Sequence, residues 1–148
     1  MIDLKLTETD GIYDISYGDD GDFEMEDGFD TAILMSLFCE RRALKDEVPD
    51  AIRRRGWVGN AFYNPGGFEN GSKMWIHTEQ GRVTNVVLNA IKNTSVSGLY
   101  WMTLDNIAKS VESNIEVISG VPNLKLKIEY SPSKVEEKFF SVWENTGT

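Results

Sequence analysis

Hydrophobic and polar residues follow two different rhythms along this chain. Near the start the rhythm has period two. Ile12-Tyr13-Asp14-Ile15-Ser16-Tyr17 is strand-like, and Phe23 and Met25 alternate with Glu24 and Glu26. Gly18-Asp19-Asp20-Gly21 lies between them and supplies the backbone angles of a tight turn. This pattern predicts short strands over residues 1–27, with a hairpin across that turn. The rhythm then becomes helical. Ile33, Leu34, Leu37, Phe38 and Leu44 share one side, and Glu40, Arg41, Arg42 and Lys45 share the other. A helix is predicted from Asp30 or Thr31, whose side chains can cap free N–H groups, to Val48-Pro49.

Residues 49–73 lose the periodicity and become rich in Gly and Asn. They predict a long loop pinned by Trp57, Phe62, Tyr63 and Phe68, and such loops inside compact domains are often functional. Met74-Trp75-Ile76-His77 has the look of a strand. A second helix is predicted from Thr84, burying Val87, Leu88 and Ile91. A third covers about 96–104, and Asp105-Asn106 turns the chain. Period two then returns. Ile107, Val111, Ile115 and Val117 precede a turn at Gly120-Val121-Pro122-Asn123. Leu124, Leu126, Ile128 and Tyr130 then alternate with Lys125, Lys127 and Glu129. That is the signature of an antiparallel hairpin. Ser131-Pro132 breaks the pattern, and Phe139–Trp143 predicts one more strand.

The predicted class is α+β: two to three central helices packed on a mostly antiparallel sheet with a C-terminal β-hairpin. A chain of 148 residues suits one domain. Its expected parts are an acidic strand and turn segment (1–29), helices with the long loop (30–106), and the hairpin with a C-terminal segment (107–148).

Charge changes this picture. The chain has 15 Lys and Arg against 24 Asp and Glu, a net of -9. Residues 1–30 hold eleven acids and one base, Lys5, so they carry -10. The other 118 residues hold fourteen bases and thirteen acids, a net of +1. The balance argues against nucleic acid and against an anionic membrane surface as partners. It marks the first 30 residues as a charged interaction face or a solubilising arm.

Candidate chemistry is sparse. The single cysteine, Cys39, excludes an internal disulfide and reads as a small buried hydrophobe. Met1-Ile2-Asp3 lacks the basic head and apolar stretch of a secretory signal, and no apolar run is long enough to span a bilayer. A soluble chain made in a reducing compartment is expected. His77 is the only histidine, so a histidine-dependent triad would have to use it, and one Cys plus one His cannot build a usual zinc site. Aligning Asp20, Asp22 and Glu24 to a calcium loop puts Met25 at the required Gly and Thr31 at the required Glu. Gly56-Trp57-Val58-Gly59 and Gly66-Gly67 lack the Lys and Ser/Thr of a phosphate loop. No catalytic, cofactor or metal set emerges.

The basic cluster Arg53, Arg54, Arg55, backed by Arg41 and Arg42, is better suited to carboxylates than to phosphates here. An intramolecular latch to the acidic segment and a contact to another subunit both fit it. Trp57 beside it reads either as a buried anchor of the loop or as an exposed interface residue.

Four strings, taken together, carry a resemblance. They are Asp30–Phe38 with Glu40-Arg41-Arg42-Ala43, then Arg54-Arg55-Gly56-Trp57-Val58-Gly59, then Gly71–Trp75, then Leu99-Tyr100-Trp101-Met102 ahead of Asp105–Ala108. In this order and spacing they resemble the small baseplate proteins of Mu-like contractile-tail bacteriophages. That family is in turn similar to the wedge proteins that initiate the tail sheath. Asn106 stands where the family has a turn Gly, Val58 stands where a second Trp is usual, and residues 131–148 match least.

The resemblance implies a non-enzymatic virion protein, assembled in the host cytoplasm and placed in the tail baseplate. It implies a sixfold arrangement around the tube. The implied partners are other wedge subunits, the tail sheath protein, and tube or hub proteins. It also implies a sheet edge offered to the first sheath ring, for which the hairpin strand with Leu124, Leu126, Ile128 and Tyr130 is the candidate. Some relatives carry a lysozyme-like label, so a peptidoglycan hydrolase is the alternative; a DNA mimic built on the acidic segment is a third possibility. For a ring, the acidic segment would meet Arg53–Arg55 of a neighbour.

Overall fold

A computed structural model describes residues 2–10, 12–63, 65–79 and 82–142. The chain divides into two compact units, Met1–Met35 and Ser36–Thr148, with the boundary inside one helix.

The first unit is built from β1 (Ile2–Leu4), β2 (Leu6–Thr9), β3 (Ile12–Ile15) and β4 (Met25–Asp27). β1 pairs with β4 and β2 with β3, both antiparallel. The expected hairpin of 12–17 with 23–26 is therefore not the main pairing. Only an isolated bridge, Tyr17 to Phe23, joins those stretches, and their ring centroids lie 5.3 Å apart with the planes tilted by 39°. The reason lies at Lys5, between β1 and β2. Its N–H donates to the Glu24 carbonyl at 2.9 Å, and its carbonyl accepts from Ser16 N–H at 3.0 Å. One extended stretch thus changes partner at its single basic residue. The Lys5 ammonium also bonds the Glu24 carboxylate at 2.9 Å and holds that carboxyl below its usual range.

Helix α1 (Asp30–Phe38) starts where expected. Its first turn is capped from outside: Glu26 accepts from Thr31 N–H at 2.7 Å, and the Thr31 hydroxyl donates to the Leu4 carbonyl at 2.6 Å. The helix stops at Phe38, ten residues short of Pro49, and Leu44 is exposed. The stop is made by a distant segment. The Cys39 carbonyl accepts from Ser72 N–H at 2.9 Å, and Arg41 N–H donates to the Ser72 carbonyl at 2.9 Å. These groups cannot also serve a helix. Gly71, at φ +101°, brings its Cα against the Cys39 carbonyl, where a side chain would collide.

The long loop contains a short turn of 3₁₀ helix at Ile52–Arg54, the single-turn helix α2 (Gly59–Phe62) and another 3₁₀ turn at Pro65–Gly67. Met74–Thr78 is a helix, α3, not the expected strand. Met74 is buried and the rest of that short turn is half-buried, so four residues of mixed character could not reveal a period. Helix α4 (Asn85–Gly98) begins on Thr84, whose hydroxyl accepts from Val87 N–H at 3.3 Å. It buries Val87 and Ile91, with Leu88 at its margin. Leu99, fully buried, separates it from α5 (Tyr100–Leu104), so the third helix is shorter than expected. Asn106 takes φ +56° in the following turn, as its residue type allows.

The C-terminal sheet is three-stranded, in the order β5 (Ser110–Ile118), β6 (Val121–Ser131), β7 (Lys134–Ser141). Ser119 (φ +52°) and Gly120 (φ +81°) form the two-residue turn between β5 and β6. Two successive positive φ angles match the twist of a tight hairpin. Val121 and Pro122, expected in the turn, instead pair with Ile118 and Val117. Pro122 is tolerated because β7 pairs with β6 only from Asn123 onward. The last strand begins at Lys134 rather than Phe139, and Trp143 lies outside the described residues.

Leu124, Leu126 and Ile128 are fully buried, and Phe140 on β7 shares their face and meets Phe38 edge-on at 5.8 Å. Leu37, Ala43, Met74, Val87, Ile91, Leu99, Met102 and Ala108 are the other buried hydrophobic residues among the described residues of this unit. The α+β class, with antiparallel sheets and a C-terminal β element, holds.

Candidate functional site

The most elaborated region is the neck and tip of the long loop. Its neck joins residues 36–41 to 71–75. Buried Ser72 donates its hydroxyl to the Leu37 carbonyl at 2.6 Å and accepts from Met74 N–H at 3.2 Å. The Trp75 indole donates to the Arg41 carbonyl at 2.9 Å. The Trp101 indole donates to the Ser36 hydroxyl at 2.9 Å. Cys39 lies half-buried here, and burial raises its thiol pKa with help from Glu40.

Arg55 is the electrostatic centre. Its guanidinium bonds Glu40 at 2.6 Å, pairs with Glu79, and lies over the Trp75 ring at 4.9 Å. The Glu40 hydrogen bond chiefly drives its pKa upward. The group is 41% exposed, so the pairs orient the loop more than they stabilise the fold. Arg54 turns to the backbone, donating to the Val48 and Pro49 carbonyls at 2.8 Å each. Arg42 reaches the Arg55 carbonyl at 2.8 Å, and Arg41 reaches the Glu69 carbonyl at 2.6 Å. Arg53 is exposed, and among the described residues its guanidinium meets no partner. The three arginines thus do not form one patch. Arg54 is committed to the Val48 and Pro49 carbonyls and Arg55 to carboxylates outside residues 1–30, and of the three the Arg53 guanidinium alone meets no partner among the described residues.

Past the neck the loop is braced again. The Asn60 side-chain amide donates to the Asn70 carbonyl and accepts from Asn70 N–H, both at 2.9 Å. Trp57 N–H donates to the Glu40 carbonyl at 2.7 Å, and its half-buried indole lies against Gly59. The tip then turns its apolar side outward. Ile52 is 92% exposed, Phe62 84%, Tyr63 76% and Val58 66%. Phe62 and Tyr63 therefore do not pin the loop, and Phe68 is also exposed. The pinning is done by amide and guanidinium bonds to carbonyls, which apolar spacing cannot reveal.

A model of the family described as phage protein GP46 matches residues 29–136. The chain belongs to the phage GP46 family. A curated relative, the baseplate protein gp46 of Escherichia phage Mu, is 32% identical over 104 residues, covering 69% of this chain and 68% of that protein. The resemblance drawn from the four strings therefore holds.

In this GP46 protein the expected hairpin strand is β6, the middle of three. Its backbone is paired on both sides, and Leu124, Leu126 and Ile128 are core residues. Tyr130, half-buried at its end, carries Lys134 over its ring at 4.8 Å. The sheet edges belong instead to β5 and β7. β5 lies against α4, where the Ser113 hydroxyl donates to the Lys92 carbonyl at 2.9 Å. Lys125, on the opposite face of β6, sits between Glu116 at 3.3 Å and Glu137 at 3.2 Å.

The residues missed by sequence reasoning are Glu40, Glu79 and Trp75 around Arg55, and Ser72 at the neck. Glu40 and Glu79 lie 15 and 24 positions from Arg55, and no local pattern links them. His77 is half-buried on α3, and burial lowers its pKa against a small opposing effect of Glu47.

Proposed function

We propose that this protein is a structural component of a contractile-tail baseplate. Membership of the GP46 family and the match to the Mu baseplate protein carry this reading. In it, the protein is assembled in the host cytoplasm and carried in the virion. It joins neighbouring wedge subunits and tube or hub proteins in a sixfold arrangement.

It also templates the first sheath ring by strand addition. Strand addition needs an open edge, because its affinity comes from unpaired main-chain groups. β6 is paired on both sides, so the candidate edge is β7, whose far side pairs with no other strand among the described residues. Lys134, Glu136, Glu137 and Lys138 along it supply charges that discourage premature pairing.

A proline scan over Glu136, Glu137 and Lys138 tests this. Proline whose missing N–H faced outward leaves the melting temperature of the purified protein near the wild-type value. In assembled tails the same variants are expected to give tubes without sheath. Normal sheaths from every variant that folds would refute templating through β7.

A further inference from the structure

The loop tip and the N-terminal unit are complementary in two independent respects. The tip combines four strongly exposed apolar side chains, Ile52, Val58, Phe62 and Tyr63, with Arg53, which is exposed and meets no guanidinium partner among the described residues. Residues 41–63, which carry this tip, hold six bases and three acids, a net of +3. The unit Met1–Met35 carries -10. It also exposes Tyr17 (67%), Ile12 (68%), Met25 (52%) and Phe23 (48%). The Tyr17–Phe23 ring pair is bordered in sequence by Asp19, Asp20 and Asp22. Exposed apolar side chains therefore occur on both stretches together with net charge of opposite sign, a combination that suits a protein interface.

Exposed apolar residues are common singly, but four on one braced loop mark a contact surface. The bracing matters, because the Asn60–Asn70 amide pair and the Arg42 and Arg54 bonds to carbonyls order the loop in advance. Pre-ordering removes much of the entropic cost of docking.

We infer that the loop tip of one copy docks on the acidic N-terminal unit of a second copy, head to tail. The partner surface differs from the docking surface, so the contact is heterologous and propagates, as a ring requires. Arg53 meets the aspartates around the Tyr17–Phe23 pair, and Phe62 and Tyr63 cover that pair. This rests on the baseplate reading only for its place in the virion; the contact itself is a property of the chain in solution.

Sedimentation of the full-length protein over a range of concentrations and salt tests it. Wild type is expected to associate with concentration, and less so as salt screens the charged margins. Two single-sided variants, Phe62→Asp and the double variant Asp20→Lys with Asp22→Lys, are each expected to weaken association at least tenfold. Phe62 and both aspartates are exposed, so circular dichroism is expected to stay unchanged. Mixing the two variants is expected to restore one interface and give dimers that grow no further. A monomeric wild type at every concentration, association indifferent to both variants, or a mixture that stays monomeric would each overturn the inference. So would a disulfide in the double variant Tyr17→Cys with Phe62→Cys that forms within monomers. If sedimentation gives the expected pattern while tails lacking this protein keep intact baseplates, the baseplate reading fails and the contact stands.

Discussion

Gly71→Ala is the sharpest test of the loop neck. Gly71 sits at φ +101°, outside the range that alanine adopts easily, and costs about 1–3 kcal/mol on that ground. The added methyl would also meet the Cys39 carbonyl and approach Arg41 N to 3.2 Å. To escape, the neck must open. The bonds at risk are Ser72 N–H to the Cys39 carbonyl, Arg41 N–H to the Ser72 carbonyl, and the Ser72 hydroxyl to the Leu37 carbonyl. Each contributes about 1 kcal/mol net. With strain and two of these bonds lost, the expected destabilisation is about 4 kcal/mol. That is a large share of the roughly 5–15 kcal/mol that holds a domain of this size. The melting temperature should fall by about 15 °C. Tryptophan fluorescence during heating is the assay, since Trp75 and Trp101 both bond to the neck. Gly120→Ala is the control: it has φ +81° but open space around it, and should cost only about 1–2 kcal/mol. A Gly71→Ala melting temperature no lower than that of Gly120→Ala would refute the reasoning.

Trp57→Ala should cost less than the roughly 3–5 kcal/mol of a fully buried aromatic, because Trp57 is only half-buried; a urea titration reads the difference. Burial depresses the His77 pKa below its ordinary 6.5, so the unfolded chain binds the proton more readily. The associated stability is full above that pH and declines as pH falls through the window beneath it. His77→Gln should remove that slope, which urea midpoints measured between about pH 5 and 7.5 would show. As a structural subunit the purified protein should leave cell walls intact across about pH 4–8, whereas lysis would support the peptidoglycan-hydrolase alternative, whose chemistry needs a pair of carboxylates.

What was legible in the sequence was local and periodic. Thr84 as a cap, Val87 and Ile91 as a buried face, Asn106 in a left-handed turn, and the alternation of Leu124, Leu126 and Ile128 all follow from neighbours a few residues apart. Where a distant segment decides, local pattern fails. The first helix carries an apolar rhythm as far as Leu44, but Ser72 takes its backbone groups after Phe38. The alternating residues of β6 suited an edge strand until β7 paired with the other side. Arg53, Arg54 and Arg55 are one cluster as letters, yet three different environments. Successive residues in a tight turn point in different directions, and their partners, Val48, Glu40 and Glu79, lie far apart in sequence.

The neck has a further consequence. Because residues 39–41 and 71–73 close the loop with backbone bonds, and Ile52, Val58, Phe62 and Tyr63 are exposed, the cost of changing those four stays on the far side of that closure. The loop between is in effect an exchangeable cassette on a fixed frame. A lineage could replace Ile52, Val58, Phe62 and Tyr63 to follow a changing neighbour while Gly71 and Ser72 stay constant. Transplanting the whole stretch between Glu40 and Ser72 onto a homologous frame that keeps Trp75 and Glu79 for Arg55 should therefore carry partner choice with it and leave the recipient's stability nearly unchanged.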